Sequence, residues 1–134
     1  MNEASILERW FSAGDAGDID SFDQFLHPEV VVHAPLGLST IGIEAEKQVW
    51  RDAIRAMPDI RHDIQAVVTS GSLVAARALV TGTQERDFGG IKASGRTFSI
   101  DQALFAEVHD GKIVEAWEIV DTVGLMRQLG ALRE

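Results

Sequence analysis

The sequence predicts an α+β protein in which helices fill most of the first 57 residues and an antiparallel meander fills the rest. In the first part, apolar residues recur at the spacing of amphipathic helices, and Gly or Pro residues separate the segments. From residue 60 onward, β-branched runs are separated by turn residues. Helices that precede strands, rather than alternating with them, are typical of α+β folds. With 134 residues, the chain fits a single domain, 1–134.

Three helices are predicted before residue 58. The first has an apolar stripe and ends at the Gly-rich residues 14–17; the stripe consists of Ile6, Leu7, Trp10 and Phe11. Asp18 can cap a second short helix, whose apolar face runs over residues 19–26 and which Pro28 ends. The third helix covers residues 43–57, and Pro58 stops it.

Five strands and a closing helix complete the prediction. A short β-branched strand covers residues 29–33, and four longer strands cover 60–69, 73–84, 96–109 and 112–121. Asp110-Gly111 is a strong signal for a two-residue hairpin between the last two strands. Apolar residues from Val123 to Leu129 then predict a final helix that ends at Gly130.

The hairpin turn also predicts which side chains share a face. Counting back from it places Trp117 opposite Leu104, and Asp121 opposite Ile100. Because side chains alternate along a strand, Trp117, Asp121 and Gln102 would then lie on one face of the sheet. A β-bulge would turn part of this set to the other face.

Composition excludes several classes of function. The net charge of −9 disfavours binding to nucleic acid or to an anionic membrane surface. The chain contains no Cys and no Tyr, so thiolate chemistry and phenolic proton donors are excluded. It shows neither an apolar run of membrane-spanning length nor a leader pattern, so we expect a cytoplasmic protein.

The last strand is apolar on both faces, because Val114, Ala116 and Val120 occupy the face opposite Trp117 in this register. A strand that is apolar on both sides is usually covered on both sides. The few helices suffice for one face, so we expect a second copy of the chain to cover the other, in a homodimer or a higher homo-oligomer.

Asp121 is the first candidate for chemistry. A carboxylate at the end of an apolar strand has its charged form disfavoured, which raises its pKa towards neutrality and suits a general acid or base. The alternative is structural, because Asp121 directly precedes the final helix and Asp is a favoured N-cap residue.

His33 is the second candidate. It ends the first strand, where its side chain would point into the concavity of the sheet and act as a hydrogen-bonding partner or proton shuttle. The alternative is a core histidine with its hydrogen bonds satisfied. His62 and His109 are predicted at exposed strand or turn positions. No spacing of His and carboxylate residues matches a metal-binding motif, so no metal is expected.

Four further residues are candidates for substrate binding. Gln102 and Gln84 are strand amides that could orient a carbonyl oxygen, although an exposed strand position is the simpler interpretation of Gln84. Trp50 and Trp117 could form an aromatic wall, although a Trp at such spacing is more often part of the core. Signatures of serine hydrolases, P-loop proteins and dinucleotide-binding proteins are absent from the sequence.

The C-terminal residues resemble those of the SnoaL-like polyketide cyclases, also called ester cyclases. The resemblance is carried by residues 110–117 (DGKIVEAW), by Asp121 and by residues 124–130 (GLMRQLG). Other segments agree in order, namely residues 27–35 (HPEVVVHAP), 58–60 (PDI), 81–83 (TGT), 88–90 (FGG) and 94–96 (SGR). At residue 84 the family often has His, and this chain has Gln.

This resemblance implies a cone-shaped α+β fold, shared with nuclear transport factor two and ketosteroid isomerase, in which a strongly curved antiparallel sheet wraps the helices around a deep apolar pocket. It implies oligomers packed through the sheet. It also implies an intramolecular aldol closure of a small hydrophobic carbonyl-containing substrate, without cofactor or metal. Asp121 would then be the acid/base, His33 and Gln102 would polarise or orient the substrate, and Trp50 and Trp117 would line the cavity.

Two other functions remain open at this stage. One is an isomerase or epoxide hydrolase on the same fold, although such relatives commonly use a pocket Tyr, which this chain lacks. The other is a non-catalytic module that binds hydrophobic ligands, in which no carboxyl group needs an unusual pKa.

Overall fold

The computed structural model describes residues 5–132 and contains three α-helices and one 3₁₀ helix in that range. The helices are α1 (Ile6–Asp15), the 3₁₀ helix (Ile19–Gln24), α2 (Ile43–Ala56) and α3 (Thr122–Gln128). Among these residues, no helix is both long enough and apolar enough to cross a membrane.

Six strands form one curved, unclosed sheet. They are β1 (Leu26–His33), β2 (Thr40–Ile41), β3 (Arg61–Ser70), β4 (Leu73–Thr83), β5 (Thr97–His109) and β6 (Lys112–Val120), arranged in the order β2-β1-β6-β5-β4-β3. The four long strands form the predicted antiparallel meander. The expected curved antiparallel sheet is confirmed for the meander, and β1 is added to it in parallel with β6.

Helix α1 begins with a capping box. The Ser5 hydroxyl accepts a hydrogen bond from the Glu8 N–H, and the Glu8 carboxylate accepts one from the Ser5 N–H, both at 3.1 Å. The predicted apolar stripe is buried, and Leu7 and Trp10 have no exposed surface. The stripe therefore packs the helix into the concave side of the sheet, as the sequence predicts.

The second predicted helix is shorter than expected. It is a 3₁₀ helix that ends at Gln24, and Leu26 already belongs to β1, so Pro28 lies within a strand rather than after a helix. Within residues 5–132, β2 pairs with Val31 and Val32 alone and β6 pairs with no residue between Leu26 and Val31, so Pro28 lies on an unpaired stretch of β1. A proline, which has no N–H to donate, is tolerated at such an edge.

The β5–β6 hairpin contains a β-bulge that changes the predicted register. The turn at Asp110-Gly111 is confirmed, and Val108 pairs with Ile113, but Glu107 pairs with Glu115, which leaves Val114 as the extra residue. Beyond the bulge every pairing is displaced by one residue.

Trp117 therefore pairs with Phe105 rather than with Leu104, and Glu118 takes the place opposite Leu104. The predicted pairing of Asp121 with Ile100 is wrong, since β6 ends at Val120, opposite Gln102. The bulge thus turns Glu118 to the concave face, where Leu104 is buried, and turns Trp117 to the convex face.

Two apolar clusters fill the concave side. The larger one packs α1, the 3₁₀ helix and α2 against β1 and the outer ends of the meander. The smaller one surrounds the end of α2 and the start of β5, and includes Met57, Phe98 and Leu129. A cavity lies beside the smaller cluster, and Trp50 of the larger cluster forms part of its wall.

The contact between α1 and α2 predicts an unusually sensitive glycine. A Cβ atom on Gly14 would overlap the ring of the buried Trp50. An alanine gains about 1 kcal/mol in helix propensity over glycine, but overpacking a core costs about 1–3 kcal/mol or more. We therefore expect Gly14→Ala to lower the free energy of unfolding, measured by chemical denaturation. The control is Ser12→Ala on the exposed face of α1, and an equal effect of the two changes would contradict the predicted clash.

Candidate functional site

A cavity of about 130 Å³ lies between α2 and the concave face of the sheet. Its walls are mostly apolar and come from α2, from strands β4, β5 and β6, from α3 and from the loop that follows β4. The polar side chains that line it are Glu46, Trp50, His62, Gln84, Gln102 and Glu118. An apolar hollow with a few convergent polar groups is typical of a small-molecule site.

Glu118 projects from β6 into this cavity. Part of the residue surface is exposed, whereas its carboxyl group is buried among protein atoms. Within residues 5–132 its carboxylate has no hydrogen-bonding or ion-pairing partner. Burial, with a smaller contribution from the charge of Glu46, raises the pKa of Glu118 to about 8.

Glu46 reaches the same cavity from α2 and is almost fully buried, with 2% of its surface exposed. It accepts hydrogen bonds from the Thr40 hydroxyl at 2.8 Å and from the Trp50 indole N–H at 3.1 Å. Burial raises the pKa of Glu46 to about 7, although both hydrogen bonds act in the opposite direction. Trp50 thus serves as cavity wall and as the group that holds this carboxyl in place.

The two carboxyl groups titrate as a pair. Like charges that share a poorly solvated site do not both ionise easily, so one proton is retained near neutral pH. Such a pair can take up a proton and return it without any other titratable group. The arrangement is therefore suited to general acid/base chemistry at neutral pH.

Two buried amides complete the polar lining. Gln102 is 6% exposed and Gln84 is 1% exposed, and the Oε1 atom of each has no hydrogen-bond donor within the described residues. The Gln84 Nε2 group donates to the Ile91 carbonyl at 2.9 Å. The exposed position considered for Gln84 is therefore wrong, because this residue closes the end of the cavity beside the loop after β4.

His62 also lines the cavity, contrary to the exposed position predicted for it. Only 9% of its side chain is exposed. The Asp15 carboxylate at the end of α1 accepts from the His62 backbone N–H at 2.6 Å and contacts the imidazole Nδ1 at 2.7 Å. Asp15 therefore fixes both the start of β3 and the orientation of the ring.

Two predicted site residues lie outside the cavity, on the convex face of the sheet. His33 stacks on Trp117, with ring centroids 5.5 Å apart, and its Nε2 lies 2.7 Å from the Glu115 carboxylate. The bulge at Val114 turns Trp117 outward. The alternation along β1, in which Val32 is buried, turns His33 outward as well. Their predicted positions in the pocket are therefore wrong.

Asp121 follows the end of β6 at an exposed position and does not line the cavity. Its carboxylate accepts a hydrogen bond from the Gly124 N–H at 2.9 Å, as the N-cap of α3. Of the two interpretations that the sequence left open, capping is the one that this geometry supports. The predicted placement of this carboxyl group inside an apolar pocket is wrong.

Sequence reasoning missed the two residues with the most perturbed environments. Glu118 stands between Ala116 and Val120 in an alternating strand, and an acidic residue on an inward-facing row is a signal of a buried charge. Glu46 follows Ile43 by three residues and precedes Trp50 by four, so it belongs to the apolar stripe of α2.

The family model described as SnoaL-like polyketide cyclase matches residues 4–129. The chain belongs to this family. None of the curated proteins matches it. Solved structures agree with the family and with its cone fold, the fold of nuclear transport factor two.

Among these structures, TsrD from Streptomyces laurentii is 32% identical, with a TM-score of 0.86 and coverage of 95% of this chain and 93% of that chain. IdmH from Streptomyces antibioticus is 29% identical, with a TM-score of 0.80 and coverage of 93% and 96%. A SnoaL-like polyketide cyclase from Agrobacterium tumefaciens shares the fold at 21% identity, with a TM-score of 0.79 and coverage of 93% and 95%.

The buried carboxyl of Glu118 predicts a pH-dependent stability. The unfolded chain releases this proton near the ordinary pKa of 4.5, whereas the folded chain holds it up to about 8. The free energy of unfolding therefore falls as pH rises through that interval. Glu118→Gln removes the carboxyl group whose ionisation causes this fall. We expect the variant to gain stability over wild type by an amount that grows from about pH 5 to about pH 9, reaching at least about 1 kcal/mol.

Denaturant unfolding across that pH range measures this difference. The control, Glu85→Gln, removes one negative charge from an exposed position and should change stability by less than about 0.5 kcal/mol throughout. A difference in the free energy of unfolding between Glu118→Gln and wild type that stays constant over this pH range would contradict the burial of an ionisable group.

Proposed function

We propose that this protein is a cofactor-independent cyclase that transfers a proton next to a carbonyl group, with Glu118 as the acid/base. The observation that supports this most strongly is an acidic side chain in an apolar cavity that has no hydrogen-bonding or ion-pairing partner among the residues that the structure describes. A pKa near the working pH gives a carboxylate that is basic enough to remove a carbon-bound proton and acidic enough to return it. Membership of the SnoaL-like polyketide cyclase family agrees with this reaction class.

The proposed reaction is an intramolecular aldol closure. The Glu118 carboxylate removes a proton from a methylene group flanked by carbonyls, and the resulting enolate carbon attacks a second carbonyl of the same molecule. One C–C bond forms, the C=O π bond opens to an alkoxide, and the alkoxide takes the proton back from the Glu118 carboxyl. The cavity contributes by holding the chain folded and excluding water from the enolate.

Two neighbours support Glu118 in this proposal. Glu46 acts as a positioning residue, because its negative charge raises the pKa of Glu118 and its own carboxyl is held by Thr40 and Trp50. Gln102 pairs with Val120, two residues beyond Glu118 on the same face, where its amide can contact a substrate carbonyl. Asp121 contributes to folding as a helix cap in this scheme.

Single substitutions at Glu118 and at Asp121 distinguish this mechanism from one in which Asp121 is the acid/base. Glu118→Gln should reduce turnover of an aryl β-keto ester by a factor of about 10² or more, because its neutral amide cannot accept the proton. Asp121→Ala should retain turnover and lose about 1 kcal/mol of stability as its cap is removed. Cyclisation followed by absorbance gives the rates, and denaturant unfolding gives the stabilities.

The activity of wild type should also increase with pH as Glu118 ionises. Loss of turnover in Asp121→Ala with a folded protein, together with retained turnover in Glu118→Gln, would refute the proposed mechanism. Tight binding of the ester without turnover in wild type would favour the alternative of a non-catalytic ligand-binding module.

The convex face of the sheet supports a second proposal, a homo-oligomer. Successive cross-strand pairs line up Val68, Ala75, Phe105 and Trp117 in a row across four strands. In this face Val68 is 68% exposed and Ile119 is 59% exposed. A contiguous exposed apolar surface of this kind favours a protein interface, and we propose a second copy of this chain as its partner.

Light scattering at micromolar concentration should give a mass above that of one chain of 14.6 kDa. Ile119→Lys should shift the mass towards a monomer, because a lysine beside this apolar row, two residues from Trp117 on the same face, would be desolvated on association. The control, Val123→Lys, places the same charge at an exposed position on α3. A monomeric wild type, or equal effects of both changes, would overturn the proposal.

A further inference from the structure

The end of the cavity remote from Glu118 carries a hydrogen-bond acceptor that the acid/base mechanism does not use. Gln84 is 1% exposed, lines the cavity and leaves its Oε1 without a donor within residues 5–132. Buried acceptors are nearly always paired, because an unmade hydrogen bond costs stability. An orphaned acceptor beside an apolar cavity indicates that a ligand supplies the missing donor.

The direction of the Gln84 amide is fixed by its neighbours. Its Nε2 donates to the Ile91 carbonyl oxygen at 2.9 Å, and because that oxygen can only accept, the facing amide atom must be the nitrogen. The oxygen is consequently the free atom, and reversing the amide would leave two carbonyl oxygens facing each other. Gln84 therefore presents its oxygen, an acceptor, as the atom without a partner in the described residues, whereas the sequence analysis considered this amide as a group that orients a carbonyl oxygen.

The backbone around Gln84 is held as firmly as its side chain. The Gln84 N–H donates to the Arg96 carbonyl at 3.0 Å, and the Gln84 carbonyl accepts from the Gly95 N–H at 2.8 Å. These bonds continue the β4–β5 ladder beyond Thr83, the last residue of β4. The acceptor is thus preorganised, which lowers the entropy cost of binding a donor to it.

The cavity is polar at two separate levels of the sheet. The Gln84 backbone is hydrogen-bonded to Gly95 and Arg96, just before β5 begins. Glu118 pairs with Leu104, in the second half of β5. Met57, Phe88, Ile91 and Phe98 line the wall near Gln84 and carry no charge. A cationic donor would be buried there without a counter-ion, so the site favours a neutral one.

We propose that Gln84 binds a neutral hydroxyl group carried on the apolar body of the ligand, and so sets which end of that ligand reaches Glu118. The orientation towards Glu118 rests on the proposed function, but binding of the hydroxyl at Gln84 does not. A site built to pair with a hydroxyl discriminates strongly against the analogue without one, because the buried acceptor then stays unpaired.

A matched pair of two-ring probes tests the proposal without turnover. 2-Naphthol carries the donor, and 2-methoxynaphthalene keeps the ring and the oxygen but lacks the O–H. Calorimetric titration at a pH at which the naphthol is neutral should show that wild type binds the naphthol about tenfold tighter than the ether. Equal affinities for the two probes in wild type would overturn the proposal.

Two variants locate the preference within the cavity. Gln84→Met keeps the length of the side chain and removes the acceptor, so the affinity ratio of the two probes should fall to about 1. Gln102→Met removes the other orphaned acceptor and should leave the ratio as in wild type. A ratio that persists in Gln84→Met and disappears in Gln102→Met would assign the hydroxyl to Gln102 and refute the proposal.

A spectroscopic measurement covers the case in which Gln84→Met loosens the loop that contains Ile91. In wild type the ¹³Cδ resonance of Gln84 should shift when 2-naphthol is added and should remain nearly unchanged with the methyl ether. A binding naphthol that leaves this resonance unmoved would count against Gln84. Because neither measurement uses catalysis, a failure of the cyclase proposal would leave both results interpretable.

Discussion

One additional residue in the last long strand determines which side chains face the cavity. The bulge at Val114 displaces the β5–β6 pairing by one position, and in a sheet a one-residue displacement moves every side chain to the opposite face. Glu118 consequently faces inward opposite Leu104, whereas Trp117 faces outward. Without the bulge Glu115 and Trp117 would face inward and Glu118 would face outward.

The bulge has a counterpart in the neighbouring strand. The pairing of β1 with β6 is also irregular between Leu26 and Val31, next to Ile113 and Glu115, and Pro28 lies within this irregular stretch. A β-bulge bends its strand and increases the local twist of the sheet. The curvature that makes room for a cavity and the register that supplies its carboxyl group therefore arise at the same level of the sheet.

The sequence predicted the element types, the hairpin turn and the family well, because these depend on local periodicity and on motifs. It also placed Trp50 and Gln102 in the cavity, since a stripe on α2 and the inward row of β5 are unaffected by later irregularities. Trp117 and Asp121 were misplaced together, and Glu118 was missed. All three follow Val114, whose bulge arises from packing between strands that are far apart in sequence, and no local pattern in the hairpin marks it.

The two ends of the cavity carry different kinds of polar group, and the difference has a consequence for catalysis. A hydroxyl bound at Gln84 has the same charge before and during the reaction. Its hydrogen bond with Gln84 therefore stabilises substrate and transition state alike and acts on affinity. The Glu118 carboxyl changes its charge as the proton moves, so its surroundings act on the barrier itself. Burial and the charge of Glu46, whose carboxyl is held by Thr40 and Trp50, both act on this second kind of effect, because they raise the pKa of Glu118. The stability lost by burying two carboxyl groups is thus localised at the end of the cavity where a change in charge is chemically useful, and the opposite end is left neutral for binding.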